Sequence, residues 1–192
     1  MGKEFEIKFK ATLDQLAAIE AEYGCFSLFS METTYYDAVD GSLSARHITL
    51  RRRLENDVAV CTVKTPLDGF GRGEWDTECD SIEAAIPVLC KLGCAEDLKT
   101  LTAVGIVEVC SARFIRKCKP LRSGNSTVEL ALDQGVLLGG GREIPLCEVE
   151  VELKEGREED ALLFARVIAG KYSLQREDRS KFRRALDLAK ER

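Results

Sequence analysis

The stretch EFEIKFK, residues 4–10, alternates charged and apolar side chains without a break. In an extended strand, Phe5, Ile7 and Phe9 would share one face, and the glutamates and lysines would share the other. Such a strand is typical of an antiparallel sheet that packs one face on the core. Its charged face could meet water, as on an ordinary surface strand, or it could line an interior.

The same alternation returns in four later segments of the chain. Their charged residues are Arg51 and Arg53, then Lys64, then Arg72, Glu74, Asp76 and Glu78, and finally Glu148, Glu150, Glu152 and Lys154. If these strands close into a barrel with the charges inside, their apolar faces point outward and need helices to cover them. A solvated, salt-bridged sheet face is the competing interpretation.

A charged interior is costly unless it binds something, because an isolated buried ion costs several kcal/mol. Lysine and arginine suit phosphate oxygens, and clustered carboxylates suit a hard divalent cation such as Mg²⁺ or Mn²⁺. The pattern therefore favours a site for a metal ion and a polyphosphate.

Composition narrows the class of protein. The 192 residues predict a single domain over 1–192, and a net charge of -5 argues against a partner such as duplex nucleic acid. The sequence has no apolar run long enough for a membrane span and no export signal, so we expect a cytoplasmic protein with eight free thiols. A single histidine leaves any chemistry to carboxylates, lysines and arginines.

The remaining elements follow from periodicity and caps. We expect a helix from the capping box at Thr12 to Gly24, one over 81–92 with a break or a late start at Pro87, one over 157–169 ending at Gly170, and one over 180–190. Strands are predicted over 33–37, 48–55, 58–65, 106–117, 126–133 and 146–154, with the glycine-rich LLGGGREIP as a connection.

Several motifs, in this order, resemble the CYTH superfamily, the triphosphate tunnel metalloenzymes. They are the Glu-x-Glu-x-Lys of Glu4, Glu6 and Lys8, the LRRR of residues 50–53, the TVK ending at Lys64, the RGEWD of residues 72–76, the ALD ending at Asp133, the acidic CEVEVELKEG and the SK ending at Lys181. The resemblance covers residues 4 to about 184. It implies an α+β fold in which an eight-stranded antiparallel barrel with a charged interior is covered by helices.

The resemblance also implies roles for individual residues. Phosphate oxygens would be held by Lys8, Arg51, Arg53, Lys64, Arg72, Arg113 and Lys181. Mg²⁺ or Mn²⁺ would be held by Glu4, Glu6, Asp133, Glu150 and Glu152. The catalytic set would be Glu4, Glu6, Lys8, Glu74 and Lys181. The register around residue 113 leaves Arg116 as an alternative to Arg113, and Glu148 shares the acidic face without an assigned role.

Within that family the acidic strand most resembles the bacterial inorganic triphosphatases, which implies hydrolysis of tripolyphosphate to pyrophosphate and phosphate. A class IV adenylate cyclase is the next interpretation, followed by a thiamine triphosphatase. A non-catalytic polyphosphate- or nucleotide-binding module is the alternative outside enzymes, although it would have no need of the carboxylates. The expected partner is a small-molecule triphosphate, and both a monomer and a homodimer stay open.

Overall fold

The computed structural model describes residues 2–3, 5–66, 72–94 and 98–190, without the side chains of residues 2, 3 and 72. Ten strands and six helices are assigned there. The strands are β1 Gly2–Lys3, β2 Glu6–Lys10, β3 Ser27–Ala38, β4 Thr49–Glu55, β5 Val58–Pro66, β6 Arg72–Glu78, β7 Ile106–Ser123, β8 Ser126–Gly139, β9 Arg142–Glu155 and β10 Gln175–Arg176. The helices are α1 Leu13–Tyr23, α2 Ser42–Ala45, α3 Ile82–Lys91, α4 Leu98–Leu101, α5 Glu158–Tyr172 and α6 Lys181–Lys190.

All ten strands belong to one antiparallel sheet in the order β1-β6-β5-β4-β3-β7-β8-β9-β2-β10. Eight of them, β2 to β9, have five residues or more. The predicted α+β architecture with an antiparallel sheet covered by helices is therefore confirmed. The described pairing is an open order that ends at β1 and β10, so it does not itself show a closed barrel. The segment 2–10 reaches both sides of that order, because β1 pairs with β6 and β2 pairs with β9.

Two helical layers cover the outer face of the sheet, as the apolar halves of the alternating strands predict. Helices α3 and α4 pack on β4 to β6, where Leu50, Val63 and Trp75 are buried. Helices α1 and α5 pack on β2, β8 and β9, where Ile7 and Val151 are buried. Each fully buried side chain of this kind contributes about 1.5–3 kcal/mol.

The sixth helix packs on the other face of the sheet, which we call the inner face. Ala185 and Leu186 of α6 contact an apolar group from β3, β7 and β9 that includes Met31, Phe114 and Leu146. This part of the inner face is apolar, because α6 needs an apolar surface to pack on, and the sequence pattern did not predict this feature. Gly139 allows the close approach, since a Cβ there would lie 2.2 Å from the Ala185 carbonyl oxygen.

Caps, prolines and glycines in the sequence predicted some helix and strand boundaries correctly and others wrongly. The capping box at Thr12 and the end at Gly24 are both confirmed. Pro87 lies inside α3 without breaking it, and Gly170 lies inside α5, which ends at Ser173. The glycine-rich connection is shorter than predicted, because most of it extends β8 and β9 around a turn at Gly140 and Gly141. Packing of these segments on neighbouring elements outweighs the local preference of single residues.

No helix in the described part of the chain has the length and apolar character needed to cross a bilayer. All eight cysteines are free thiols, as predicted. Burial raises the pKa of Cys61 to about 11 and that of Cys110 to about 12, so these thiols are poor nucleophiles at neutral pH.

Candidate phosphate and metal site

A cavity of about 710 Å³ lies against the inner face of the sheet. Every strand from β2 to β9 contributes to it, together with Ser180 and the first two residues of α6. Seven described lining residues are basic, namely Lys8, Arg51, Arg53, Lys64, Arg116, Lys154 and Lys181. Seven are acidic, namely Glu6, Glu55, Glu74, Asp76, Glu129, Glu150 and Glu152. The charged half of each alternating strand thus faces a shared cavity.

Cross-strand register explains why these side chains meet. Strand β4 places Arg51 opposite Thr62 and Arg53 opposite Val60, and Lys64 of β5 lies opposite Glu74 of β6. Glu74 accepts a hydrogen bond from Arg51 at 3.4 Å and lies 3.2 Å from the Lys64 ammonium. A carboxylate between two cations holds both in place, and both remain at the cavity wall.

Arg53 has weaker compensation than its neighbours. Its Nε donates to the Thr33 hydroxyl at 3.0 Å, and Glu55 lies 3.6 Å from its Nη1. Burial, followed by the charge of Arg51, lowers the pKa of Arg53 to about 10. A buried cation held near other cations is ready to bind an anion.

Strands β2, β8 and β9 carry four more of the carboxylates at the cavity: Glu6, Glu129, Glu150 and Glu152. Lys8 of β2 donates to Glu6 at 3.0 Å, and Lys154 bridges Glu152 at 2.8 Å and Glu129 at 3.3 Å. Register places Glu6 opposite Glu152, and Glu152 opposite Glu129. Three carboxylates in neighbouring strands provide the oxygen ligands that hard divalent cations prefer.

A second acidic group lies behind the cavity wall. The carboxylates of Asp133, Glu148 and Glu150 can each bring one oxygen within 4.8 Å of the others, close enough to hold a metal ion. Asp133 and Glu148 are fully buried and do not line the cavity, whereas Glu150 does. Arg116 donates to both oxygens of Asp133, at 2.8 and 2.7 Å, and also to Glu150.

Most of the predicted site residues come together. The cavity is lined by Glu6, Lys8, Arg51, Arg53, Lys64, Glu74, Glu150, Glu152 and Lys181. Asp133 lies directly behind them, in contact with Lys181. Glu4 and the side chain of Arg72 lie outside the described residues.

The structure corrects the prediction that Arg113 lies at the phosphate site. It does not line the cavity; its side chain is 59% exposed and lies 4.0 Å from the exposed Glu143. Arg116 lines the cavity instead, with its side chain 14% exposed. The two residues are three apart, so a regular strand turns them to opposite faces.

Glu129 and Arg184 of this region were missed from the sequence, whereas Lys154 was placed on the charged face of its strand without a role. Glu129 is four residues before Asp133, so period-two spacing could have placed it on the inner face. Arg184 is one helical turn after Lys181 and contacts Glu148. A helix carrying cations at i and i+3 was a usable signal for Arg184.

The loop before α6 is fixed by a buried carboxylate. Glu177 accepts hydrogen bonds from the backbone N–H of Arg179 at 3.0 Å and from its Nε at 3.2 Å, and lies 3.5 Å from Lys10. Burial would raise the pKa of Glu177, but the hydrogen bonds from Arg179 and the charge of Arg184 lower it to about 2.

We expect Glu177→Gln to lower stability only where the carboxylate is ionised. Because the pKa of Glu177 is depressed in the folded protein, its contribution is full above the ordinary value of 4.5 and is lost as pH falls through about 2. Denaturant unfolding of both proteins should show a difference that shrinks across this window, by at most about 1.4 kcal/mol per pH unit. Asp178→Asn is the control, since Asp178 is 79% exposed; a difference for Glu177→Gln that does not change with pH would contradict the assignment.

Comparisons with known proteins agree with this geometry. The model of the CYTH domain family matches residues 2–186. An inorganic triphosphatase from Haemophilus influenzae is 30% identical over 139 residues, which covers 70% of this chain and 39% of that relative. The chain therefore spans well under half the length of the curated relative it matches.

Solved structures share the fold at low sequence identity. A candidate adenylyl cyclase from Hippeastrum, described as having a dominant triphosphatase activity, is 15% identical with a TM-score of 0.69, covering 98% of this chain and 97% of that one. The PH1819 protein of Pyrococcus horikoshii is 19% identical with a TM-score of 0.67, covering 96% and 99%. These likenesses concern the fold alone. The match over nearly the whole length, together with the charged cavity, shows that the chain belongs to the CYTH domain family.

Proposed function

We propose that this chain is a metal-dependent triphosphatase that hydrolyses inorganic tripolyphosphate to pyrophosphate and phosphate in the cavity. The observation that carries the proposal is the composition of the cavity wall, where seven basic and seven acidic residues of the described chain converge from seven strands and α6. A non-catalytic anion-binding module would need only the basic set, because carboxylates repel a polyphosphate unless a cation lies between them.

The basic residues would bind and orient the substrate. Arg51, Arg53 and Lys64 come from adjacent strands, while Arg116 and Lys181 face them from β7 and α6. Arginines hold phosphate oxygens through two parallel hydrogen bonds, and lysines add point charges. Cations spread over both sides of the cavity would hold the phosphoryl chain in line for attack at a terminal phosphorus.

The carboxylates at the cavity fit a divalent cation. Glu6 and Glu152 offer hard oxygen donors at the surface of the cavity, and Glu4 of the same motif lies outside the described residues. Bound Mg²⁺ or Mn²⁺ would supply neutralisation of charge on the phosphate oxygens. Glu74, held between Arg51 and Lys64, would accept a hydrogen bond from the attacking water.

Hydrolysis needs no covalent intermediate in this scheme. Water adds to a terminal phosphorus as the bond to the bridging oxygen breaks, and pyrophosphate leaves with the bonding electron pair. The proton lost by water passes to a carboxylate or to the phosphate products. Lys8 and Lys181 would stabilise the charge that develops on the leaving group.

We expect purified protein with Mg²⁺ or Mn²⁺ to cleave tripolyphosphate at least about tenfold faster than ATP, a difference of about 1.4 kcal/mol in barrier. The reason is charge: both ends of tripolyphosphate are terminal phosphoryl groups, whereas ATP carries an adenosine ester at one end. Phosphate release from tripolyphosphate, pyrophosphate, ATP and thiamine triphosphate should be measured together with cyclic AMP.

The control is the same mixture without a divalent cation, which should release little phosphate. Cyclic AMP as the main product from ATP would overturn the proposal in favour of a cyclase. Faster phosphate release from thiamine triphosphate than from tripolyphosphate would make thiamine triphosphate the proposed substrate. No phosphate release from any of the four compounds would leave only a binding function.

A further inference from the structure

Glu148 occupies an unusual position among the acidic residues. It is fully buried, it does not line the cavity, and its two carboxylate oxygens contact two different cations of α6. Oε1 accepts a hydrogen bond from Arg184, and Oε2 contacts the Lys181 ammonium. Strand β9 and helix α6 are thus joined through one carboxylate.

The Lys181 ammonium lies among all three carboxylates of the buried cluster. It is 2.8 Å from Asp133 Oδ2 and 2.7 Å from Glu150 Oε1, in addition to its contact with Glu148. The ammonium donates a hydrogen bond to Glu150 Oε1, and its contacts with Asp133 and Glu148 are ion pairs. A cation already occupies the space between the oxygens that could otherwise surround a metal ion.

The balance of charges in the cluster also argues against a metal ion there. The three carboxylates contact three buried or nearly buried cations: Lys181, Arg116 and Arg184. Their formal charges sum to zero, so the cluster is compensated without any ion from solution. A divalent cation added beside Lys181 would place two further positive charges in a region with little solvent to screen them.

The cluster fixes Lys181 at the boundary of the cavity. Lys181 and Glu150 line the cavity, whereas Asp133 and Glu148 lie behind them. The Phe114 ring supports the ammonium from a further side, with Nζ 5.3 Å from its centroid. Lys181 therefore belongs both to the buried cluster and to the cavity wall.

We infer that Glu148 is a positioning residue that holds Lys181 and Arg184 of α6 in register with β9, and that the Asp133–Glu148–Glu150 cluster binds the Lys181 ammonium and not a metal ion. The placement of Lys181 against a phosphoryl group rests on the proposed function. The metal would then be held by the cavity carboxylates, of which Glu152 is the representative tested below.

The test compares Glu148→Gln with Glu152→Gln, two identical changes on one strand. Mn²⁺ binding is measured by electron paramagnetic resonance without substrate. We expect Glu148→Gln to keep the wild-type Mn²⁺ dissociation constant within about twofold and Glu152→Gln to raise it at least about tenfold. A tenfold loss of Mn²⁺ affinity in Glu148→Gln would make Glu148 a metal ligand and overturn the inference.

A second readout follows the ammonium itself. Trace acetylation with acetic anhydride, quantified at Lys181 by peptide mass spectrometry relative to the exposed Lys190, reports how firmly the ammonium is held. Loss of the Glu148 charge should speed acetylation of Lys181 several-fold, whereas Glu152→Gln should leave it unchanged. An unchanged rate in Glu148→Gln would contradict the positioning role.

Removal of one partner from a buried ion network can prevent folding, so Glu148→Gln/Arg184→Gln serves as a second variant. It removes one charge of each sign and keeps the balance of the cluster. We expect it to show the same unchanged Mn²⁺ affinity and faster acetylation. Weakened Mn²⁺ binding in this folded double variant would also overturn the inference.

Kinetics with tripolyphosphate separate this inference from the proposed function. Because Glu148→Gln removes a negative charge near the anion site, KM should not rise, and kcat should fall at least about tenfold as the ammonium loses its fixed position. A wild-type protein that releases no phosphate would refute the proposed function alone, since the Mn²⁺ and acetylation comparisons need no turnover. A raised KM with unchanged kcat would contradict the positioning role.

Discussion

Replacing Arg53 with methionine is expected to weaken tripolyphosphate binding about 100-fold, or about 2.7 kcal/mol, without lowering the melting temperature. Arg53 is buried, and Glu55, at 3.6 Å, is its only ion-pair partner among the described residues. The charges of Arg51 and Arg116 lower its pKa further after burial itself, which shows that the folded protein disfavours this cation. Methionine fills a similar volume without the charge, so the change should stabilise the unliganded protein while it weakens the binding of tripolyphosphate.

Calorimetric titration with tripolyphosphate in metal-free buffer and a thermal melt of each protein check this result. Arg52→Met is the matched control, because Arg52 is the next residue of β4 and donates from its opposite face to the Asp80 carbonyl at 2.8 Å. Its affinity for tripolyphosphate should stay at the wild-type value. A melting temperature that drops by several degrees in Arg53→Met, with affinity retained, would mean that Arg53 is structural.

Replacing Lys181 with methionine should have the opposite effect on stability. Lys181 contacts three buried carboxylates, and these interactions, after the opposing cost of burial, raise its pKa above the ordinary lysine value. Without the ammonium, the ion-pair partners of Asp133, Glu148 and Glu150 among the described residues are Arg116 and Arg184. Breaking a buried network in this way costs about 3–5 kcal/mol, which for a chain of this size lowers the melting temperature by about 10 °C. Turnover of tripolyphosphate should fall at least about 100-fold.

Differential scanning calorimetry and phosphate release measure both effects. Lys190→Met removes the same charge from the exposed end of α6 and should change stability by less than about 0.5 kcal/mol. Stability near that of the wild type in Lys181→Met would show that the carboxylates are already protonated or otherwise compensated. The pair Arg53→Met and Lys181→Met thus distinguishes a cation kept for an anion from a cation kept for the fold.

Period-two alternation was enough to find much of this cavity. Glu6 and Lys8, Arg51 and Arg53, and Glu150 and Glu152 each place two charges on one face of a strand, and the structure brings all six to the cavity. The apolar residues between them, such as Ile7 and Val151, are buried under helices for the same reason. Alternation works here because a strand has only two faces and each face meets one environment.

The choice between Arg113 and Arg116 could not be made in this way. Both lie in the eighteen-residue strand β7, where the segment RFIRKCK, residues 113–119, does not alternate charged and apolar residues. Only the pairing of Arg116 with Asp133 of β8 decides which face is inner. The apolar inner surface under α6 was missed because Met31, Tyr35 and Phe114 come from two strands distant in sequence. They form one surface only because α6, which begins 150 residues after Met31, packs on all of them.

The pairing of β2 with β9 also constrains how the protein reaches its native state. Ile7 lies opposite Val151, so these contacts join residues about 140 positions apart, and α6 adds its ion pairs later still. Loops of such length close slowly, and topologies rich in distant contacts fold in milliseconds to seconds. During synthesis on a ribosome, strand β2 would therefore remain unpaired with β9 until most of the chain had emerged.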